Sequence, residues 1–190
     1  MDDKQQMKIQ LTEGTFNGEI VEYCGITHFK YSDCPQTELV TLSNGEELHK
    51  NCAKAFNIMQ KAAQKDGINI EVVSGYRSTE SQKTIFPRKF KGSNNPPEEA
   101  FISRLKESAP AGYSEHHTGF AADINDTEDD FQYTKEYEWL KKHACEYNFE
   151  QSFPENNALG LIFEPWHWRY TGDDMTKELF KNARKALGLQ

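Results

Sequence analysis

The sequence has no basic excess, no long apolar run and no closely paired cysteines, and each absence removes a class of function. Lys and Arg number 22 against 30 Asp and Glu, a formal net charge of -8. A chain of that sign gains nothing by displacing counterions from a phosphate backbone, so nucleic acid is not an expected partner. No apolar stretch reaches the roughly 18 residues of a membrane-spanning helix. The opening Met1-Asp2-Asp3-Lys4-Gln5-Gln6-Met7 lacks the apolar centre of a signal peptide. Two locations stay open: the cytoplasm, or the cell envelope if a leader or anchor has been trimmed. The four cysteines, Cys24, Cys34, Cys52 and Cys145, include no Cys-x-x-Cys pair, which leaves a thiolate zinc site with little support. Cys52 and Cys145 fall in helical patterns and are expected as small core residues. Cys24 and Cys34 flank a loop and could pair only in an oxidising compartment. The acidic run 125–130 lacks the ligand spacing and glycine of a calcium loop and is read as a solvated loop.

What is present suits one folded domain. At 190 residues the chain is long enough to bury a sizeable core, and 12% aromatic residues argue against disorder despite a mean hydropathy of -0.83. Residues 8–11 alternate, and 18–23 fits a strand, but residues 1–40 carry no strong period. A helix is expected after the Asn44-Gly45 turn or cap, with Leu48, Cys52, Phe56, Met59 and Ala63 on its inner face and His49 exposed. Residues 68–73 alternate as a strand and lead into Ser74-Gly75-Tyr76-Arg77-Ser78, which can present the Arg77 guanidinium at a sheet end. Thr79 and Gln82 have capping-box spacing for the next helix. Residues 87–97 read as a loop, 98–108 and 135–147 as helices, 149–161 as loop, 161–164 as a short buried strand. Asp174 is expected to cap a last helix that turns Met175, Leu179, Phe180, Ala183 and Leu187 inward. His28 and His143 read as structural or solvated. Helices and strands mix without a βαβ rhythm, which favours α+β.

The chemistry concentrates in two clusters, residues 114–124 and 163–170. A catalytic zinc takes three protein ligands, typically histidine and carboxylate, and leaves one position open. His116, Asp123 and His167 can supply that set, because Asp123 is the one ionisable group in an apolar strand where an unpartnered carboxylate is costly. The alternative makes Asp123 a turn cap and His116 a surface residue. His117 competes as a ligand, although adjacent residues project to different sides of an extended chain. Glu164 and His167 could form the Glu-x-x-His of a helical di-metal site, but Pro165 disfavours helix at Glu164. An extended or turn conformation with Glu164 beside the metal position is preferred, which suits general-base hydrolysis.

The motifs Ser-Gly-Tyr-Arg-Ser (74–78), Ser-x-His-x-x-Gly-x-Ala-x-Asp (114–123) and Glu-Pro-Trp-His-Trp-Arg-Tyr (164–170), in this order along the chain, closely resemble those of the VanY-type zinc D,D-carboxypeptidases. These belong to a wider group of bacterial D-alanyl-D-alanine metallopeptidases that includes D,D-dipeptidases, L,D-carboxypeptidases and phage endolysins. The resemblance runs from about residue 46 to residue 172. It implies a small α+β domain whose antiparallel sheet carries the zinc site, with residues 1–45 as an N-terminal extension packed on a domain spanning 46–190. It further implies zinc ligands at His116, Asp123 and His167, Glu164 as catalytic base and Arg77 as the cation facing the oxyanion. Ser114 and Gln82 match positions that help hold the substrate's terminal carboxylate. The implied substrate is a peptidoglycan stem peptide or precursor ending in D-alanine. His117 stands where relatives often have glutamine, and Trp168 where many have phenylalanine. The motifs do not separate D,D-carboxypeptidase from L,D-carboxypeptidase or dipeptidase; the loops at 87–113 and 148–160 shape the pocket that would. Retention of Glu164 and Arg77 disfavours a non-catalytic cell-wall binding module.

Overall fold

The computed structural model describes residues 1–13, 16–90 and 98–189. Its centre is a four-stranded antiparallel sheet of β5 (Val72–Ser74), β6 (Ala121–Ile124), β7 (Phe149–Gln151) and β8 (His167–Tyr170), in the order β5-β6-β8-β7. Two hairpins precede it: β1 (Ile20–Tyr23) with β2 (Ile26–Phe29), and β3 (Leu39–Thr41) with β4 (Glu47–His49). The helices are α1 (Asp3–Glu13), α2 (Lys50–Lys65), α3 (Thr79–Ile85), α4 (Glu98–Glu107), α5 (Lys135–His143), α6 (Asp174–Leu179) and α7 (Lys181–Ala186). The expected α+β class with a central antiparallel sheet is borne out.

Two cores hold these elements. The larger joins Cys52, Phe56 and Met59 of α2 to the sheet through Val72, Ile124 and Phe149, with Leu140 and Phe180 closing it. The second packs Leu11, Val21 and Ile26 from the N-terminal segment on Phe101 and Leu105 of α4. Residues 1–45 thus bury apolar side chains against the rest of the chain, and the 45/46 boundary falls in the β3–β4 turn.

Several local expectations are corrected by tertiary contacts. Residues 8–11 are helical, because Met7 and Leu11, four apart, share the second core. The α2 helix starts after His49, not at Asn44-Gly45, which form the β3–β4 turn; His49 Nδ1 accepts from Asn51 N at 3.2 Å as the N-cap. His49 is therefore buried, its ring 4.1 Å from that of Phe120. Residues 68–71 keep the alternating burial of a strand but not the ladder, since Asn125 takes the Glu71 backbone on both sides, through Oδ1 to N at 2.6 Å and N to O at 2.8 Å. Ser78, not Thr79, caps α3. A 3-10 turn occupies Phe86–Phe90 in the expected loop; residues 91–97 lie outside the described residues. Residues 161–164 form no strand, and the strand in that region is β8, while β7 lies inside the stretch read as loop. The C-terminal helix is capped by Asp173 in a capping box with Thr176 and breaks at Phe180, which is fully buried, while Met175 and Leu179 are exposed. Cys145 is exposed, and all four cysteines are free thiols. His28 is buried with Nε2 2.9 Å from the Leu105 carbonyl, and His143 is half-buried beside Glu146, in keeping with the structural or solvated roles expected of them.

Candidate metal centre

Ser114 begins the site by capping a 3-10 turn, Glu115–Thr118, with its Oγ accepting from His116 N at 3.3 Å. Gly119 ends that turn with φ 69°, and a Cβ there would lie 2.9 Å from the His49 nitrogen, so both conformation and space require glycine. One turn of this pitch sends consecutive histidines in different directions. His116 directs Nδ1 to the Gly75 carbonyl at 2.7 Å and leaves Nε2 facing Asp123 Oδ2 at 3.4 Å. His117 is fully committed elsewhere: Nε2 accepts from Gly112 N at 3.0 Å, and Nδ1 lies 2.6 Å from the Arg77 carbonyl. It competes for no metal.

Strand register supplies the rest. Asp123 on β6 pairs directly with His167 on β8, and His167 Nδ1 lies 2.9 Å from Asp123 Oδ1. One ligand atom each from His116, Asp123 and His167 falls within 4.8 Å of the others, and all three residues are buried. Two imidazoles and one carboxylate, with no thiolate, form the donor set of an open zinc site. Burial opposes ionisation of Asp123, but His116 and His167 outweigh it and hold the carboxyl far below its ordinary range. Burial lowers His116, with Asp123 opposing.

Glu164 sits in a turn, with His167 N donating to its carbonyl at 3.3 Å, and places Oε2 3.8 Å from His167 Nδ1. Helix is absent there, as Pro165 predicts. Burial pushes the Glu164 carboxyl up to about 8, with Asp123 and Glu115 adding and His167 opposing. Arg77 is fixed by its backbone N to the His116 carbonyl at 3.1 Å and by Nη1 to Gln82 Oε1, also 3.1 Å, and Nη2 to Ser74 Oγ at 2.9 Å. Gln82 is almost wholly buried, and its amide donates to Ser108 Oγ and the Ala109 carbonyl. It serves neither as a helix cap nor with a free donor. The preceding Gly75 is demanded by β4, because a Cβ would lie 2.2 Å from the Glu47 carbonyl. A cavity of about 790 Å³ opens over this cluster, lined by Arg77, Ser114, His116, Asp123, Glu164 and His167 among others.

Three buried residues beside the cluster carry no role in the sequence reading: Glu115, Ser152 and Arg169. Glu115 Oε2 lies 3.2 Å from His167 Nε2 and accepts from Ser152 Oγ at 2.6 Å, and its Oε1 accepts from Arg169 Nη1 at 2.8 Å. Burial opposes its charge, but Arg169 and His167 hold its carboxyl down at about 2. The sequence offered one signal, the two-residue spacing of His167 and Arg169 on a single strand.

The geometry agrees with known proteins. The family model for VanY, D-alanyl-D-alanine carboxypeptidase, matches residues 45–173. A D-alanyl-D-alanine carboxypeptidase of Enterococcus faecalis (strain ATCC 700802 / V583) is 31% identical over 148 residues, 75% of this chain and 55% of that protein. The chain thus spans about half the length of that relative. The structure of VanYB in complex with D-alanine-D-alanine is 31% identical with a TM-score of 0.63, covering 84% of this chain and 86% of that one. A mutant of the vancomycin-resistance D,D-pentapeptidase VanY from a VanB-type cassette, in complex with Zn(II), is 29% identical with a TM-score of 0.63 over 82% of this chain and 93% of the other. With these matches running through the sheet, the metal cluster and Glu164, the chain belongs to the VanY D-alanyl-D-alanine carboxypeptidase family.

Proposed function

We propose that this protein is a zinc-dependent D,D-carboxypeptidase that removes the terminal D-alanine from peptidoglycan stem peptides or their precursors. The observation that carries the reading is the buried His116–Asp123–His167 cluster with Glu164 Oε2 3.8 Å from one ligand, on a cavity shared with Arg77. Its two imidazoles and one carboxylate suit zinc, and similar proteins in complex with Zn(II) and with D-alanine-D-alanine support the metal and the substrate class. A bound zinc ion would supply Lewis acidity and a water acidified to about neutral pH.

The chain's own groups do the remainder. Glu164, which a cation held at the neighbouring cluster would favour in its ionised form, accepts a proton from the attacking water through its carboxylate and returns one to the leaving amine, so the D-alanine departs neutral at nitrogen. Arg77, locked by Gln82 and Ser74, faces the oxygen on which negative charge develops, where a preorganised cation contributes most. Ser114, which lines the same cavity, is assigned to the terminal carboxylate, and Gln82 acts through Arg77. Residues 1–45 are read as an extension of the 46–190 domain that contributes to the substrate groove, since Thr27, His28 and Tyr31 line the same cavity.

Incubation of zinc-loaded protein with stem pentapeptide and tetrapeptide, followed by mass spectrometry, tests this. Loss of one terminal D-alanine from pentapeptide is expected. Release from tetrapeptide alone would reassign the enzyme as an L,D-carboxypeptidase, loss of a dipeptide as a dipeptidase, and release from neither would remove the hydrolytic reading.

A further inference from the structure

The ligand His167 has two ring nitrogens, and either could bind a metal. Which one does is set by the partner of the other. Here Nδ1 faces Asp123 and Nε2 faces Glu115, so the ring is held from behind by a carboxylate. That carboxylate is itself fixed on both oxygens, by Ser152 and His167 on Oε2 and by Arg169 on Oε1. The Glu115 side chain is 4% exposed and that of Arg169 0%. Arg169 then donates from Nε to Glu150 Oε1 at 2.8 Å, and the other Glu150 oxygen pairs with Arg184 on α7. A chain of alternating charges, buried at Glu115 and Arg169 and half-buried at Glu150 and Arg184, therefore runs from the ligand to a helix beyond the residues that the family model matches, 45–173.

We propose that Glu115 is a positioning residue of the metal centre: anchored by Arg169 and Ser152, it holds His167 in the rotamer and tautomer that present Nδ1 beside His116 and Asp123. The proposal rests on the metal reading of that cluster. Ser114 and His116 flank Glu115 on the same 3-10 turn, so one short segment supplies both a ligand and the support of the opposite ligand. An amide at this position fails for a definite reason. Both sides of the carboxylate meet N–H donors, and an amide must turn its own NH2 toward one of them.

The test uses the full chain and zinc itself. Zinc affinity is measured by chelator competition, and the His167 imidazole is followed by long-range ¹H–¹⁵N spectra of the zinc-loaded protein. For Glu115→Gln, zinc affinity is expected to fall about 10- to 100-fold, the usual loss for a partner of a metal-bound histidine. The Nε2–H signal of His167 should move or exchange away while that of His28 stays in place. A Glu115→Gln variant with unchanged affinity and an unchanged His167 signal overturns the proposal. Because Glu115→Gln leaves Arg169 buried beside a neutral group, the double variant Glu115→Gln/Arg169→Met is measured as well. Continued weak zinc binding supports the positioning role, whereas recovery to the wild-type affinity overturns it and assigns the loss to the stranded arginine. Wild-type protein that binds no zinc at all overturns the metal reading itself, a result distinct from any behaviour of the variants.

Discussion

Glu164 and His167 lie three residues apart and are proposed to do different work, which their substitutions should separate. Glu164→Ala is expected to keep stoichiometric zinc and lose about 10²- to 10⁴-fold in the rate of D-alanine release, the usual worth of a general base. His167→Ala should lose both zinc and activity, read by metal analysis and the same release assay. Undiminished turnover by Glu164→Ala would remove it from the mechanism. His117 makes the complementary case. Its neighbour is a ligand candidate, yet both of its nitrogens are spent on Gly112 and Arg77. Glutamine offers the same pairing, an acceptor for Gly112 N and a donor for the Arg77 carbonyl. His117→Gln is therefore expected to keep zinc stoichiometry and most activity, and loss of the metal in that variant would contradict the assignment. The motif made His116, Asp123 and His167 legible because each is a ligand type at a turn or strand. Glu115 and Arg169 stood inside the same motifs without a readable role, because their chemistry is directed at another side chain.

At the scale of elements, the amphipathic helix α2 and strands at β1, β5 and β6 were legible, while β3, β4, β7 and β8 were not. The α2 face of Cys52, Phe56, Met59 and Ala63 repeats often enough to be read, and all four are buried. β7 has three residues, too few for a period, and exists because β8 offers a ladder. One long-range clamp between elements makes a pH prediction. His28 on β2 is buried with Nε2 against the Leu105 carbonyl of α4, and burial holds its imidazole down at about 4 from the ordinary 6.5. The folded state keeps the ring neutral where the unfolded chain binds a proton. Its contribution to stability is thus complete above about 6.5 and is lost as pH falls toward about 4, up to about 3 kcal/mol. Urea unfolding across that window should show a flatter acid slope for His28→Gln than for wild type under equal zinc. Equal slopes would exclude His28 as a source of acid lability.

For the whole molecule, the C-terminal segment matters more than its short helices suggest. Phe180 joins α6 to α7, is fully buried, and lies with its ring 5.5 Å from Tyr31 and 5.4 Å from the Arg169 guanidinium. It therefore ties the N-terminal segment and the charge chain behind the metal centre to one anchor. Phe180→Ala is expected to cost about 3–5 kcal/mol, measured by denaturant unfolding, in line with other buried aromatic truncations. A loss below about 1 kcal/mol would mean that the segment folds against the domain without supporting it.

The sequence by itself determined the class of the fold and marked the candidate ligands and the proposed base, because those depend on local composition and on residues fixed within a few positions of one another in each motif. Only the tertiary structure decided how they meet. The antiparallel register sets Asp123 opposite His167, the close approach of β4 fixes Gly75, and packing turns His116 inward and His117 away. It also decided that Glu115 backs His167 and that Gln82 holds Arg77, since a buried polar group finds its partner across the chain and leaves no period or spacing to mark it.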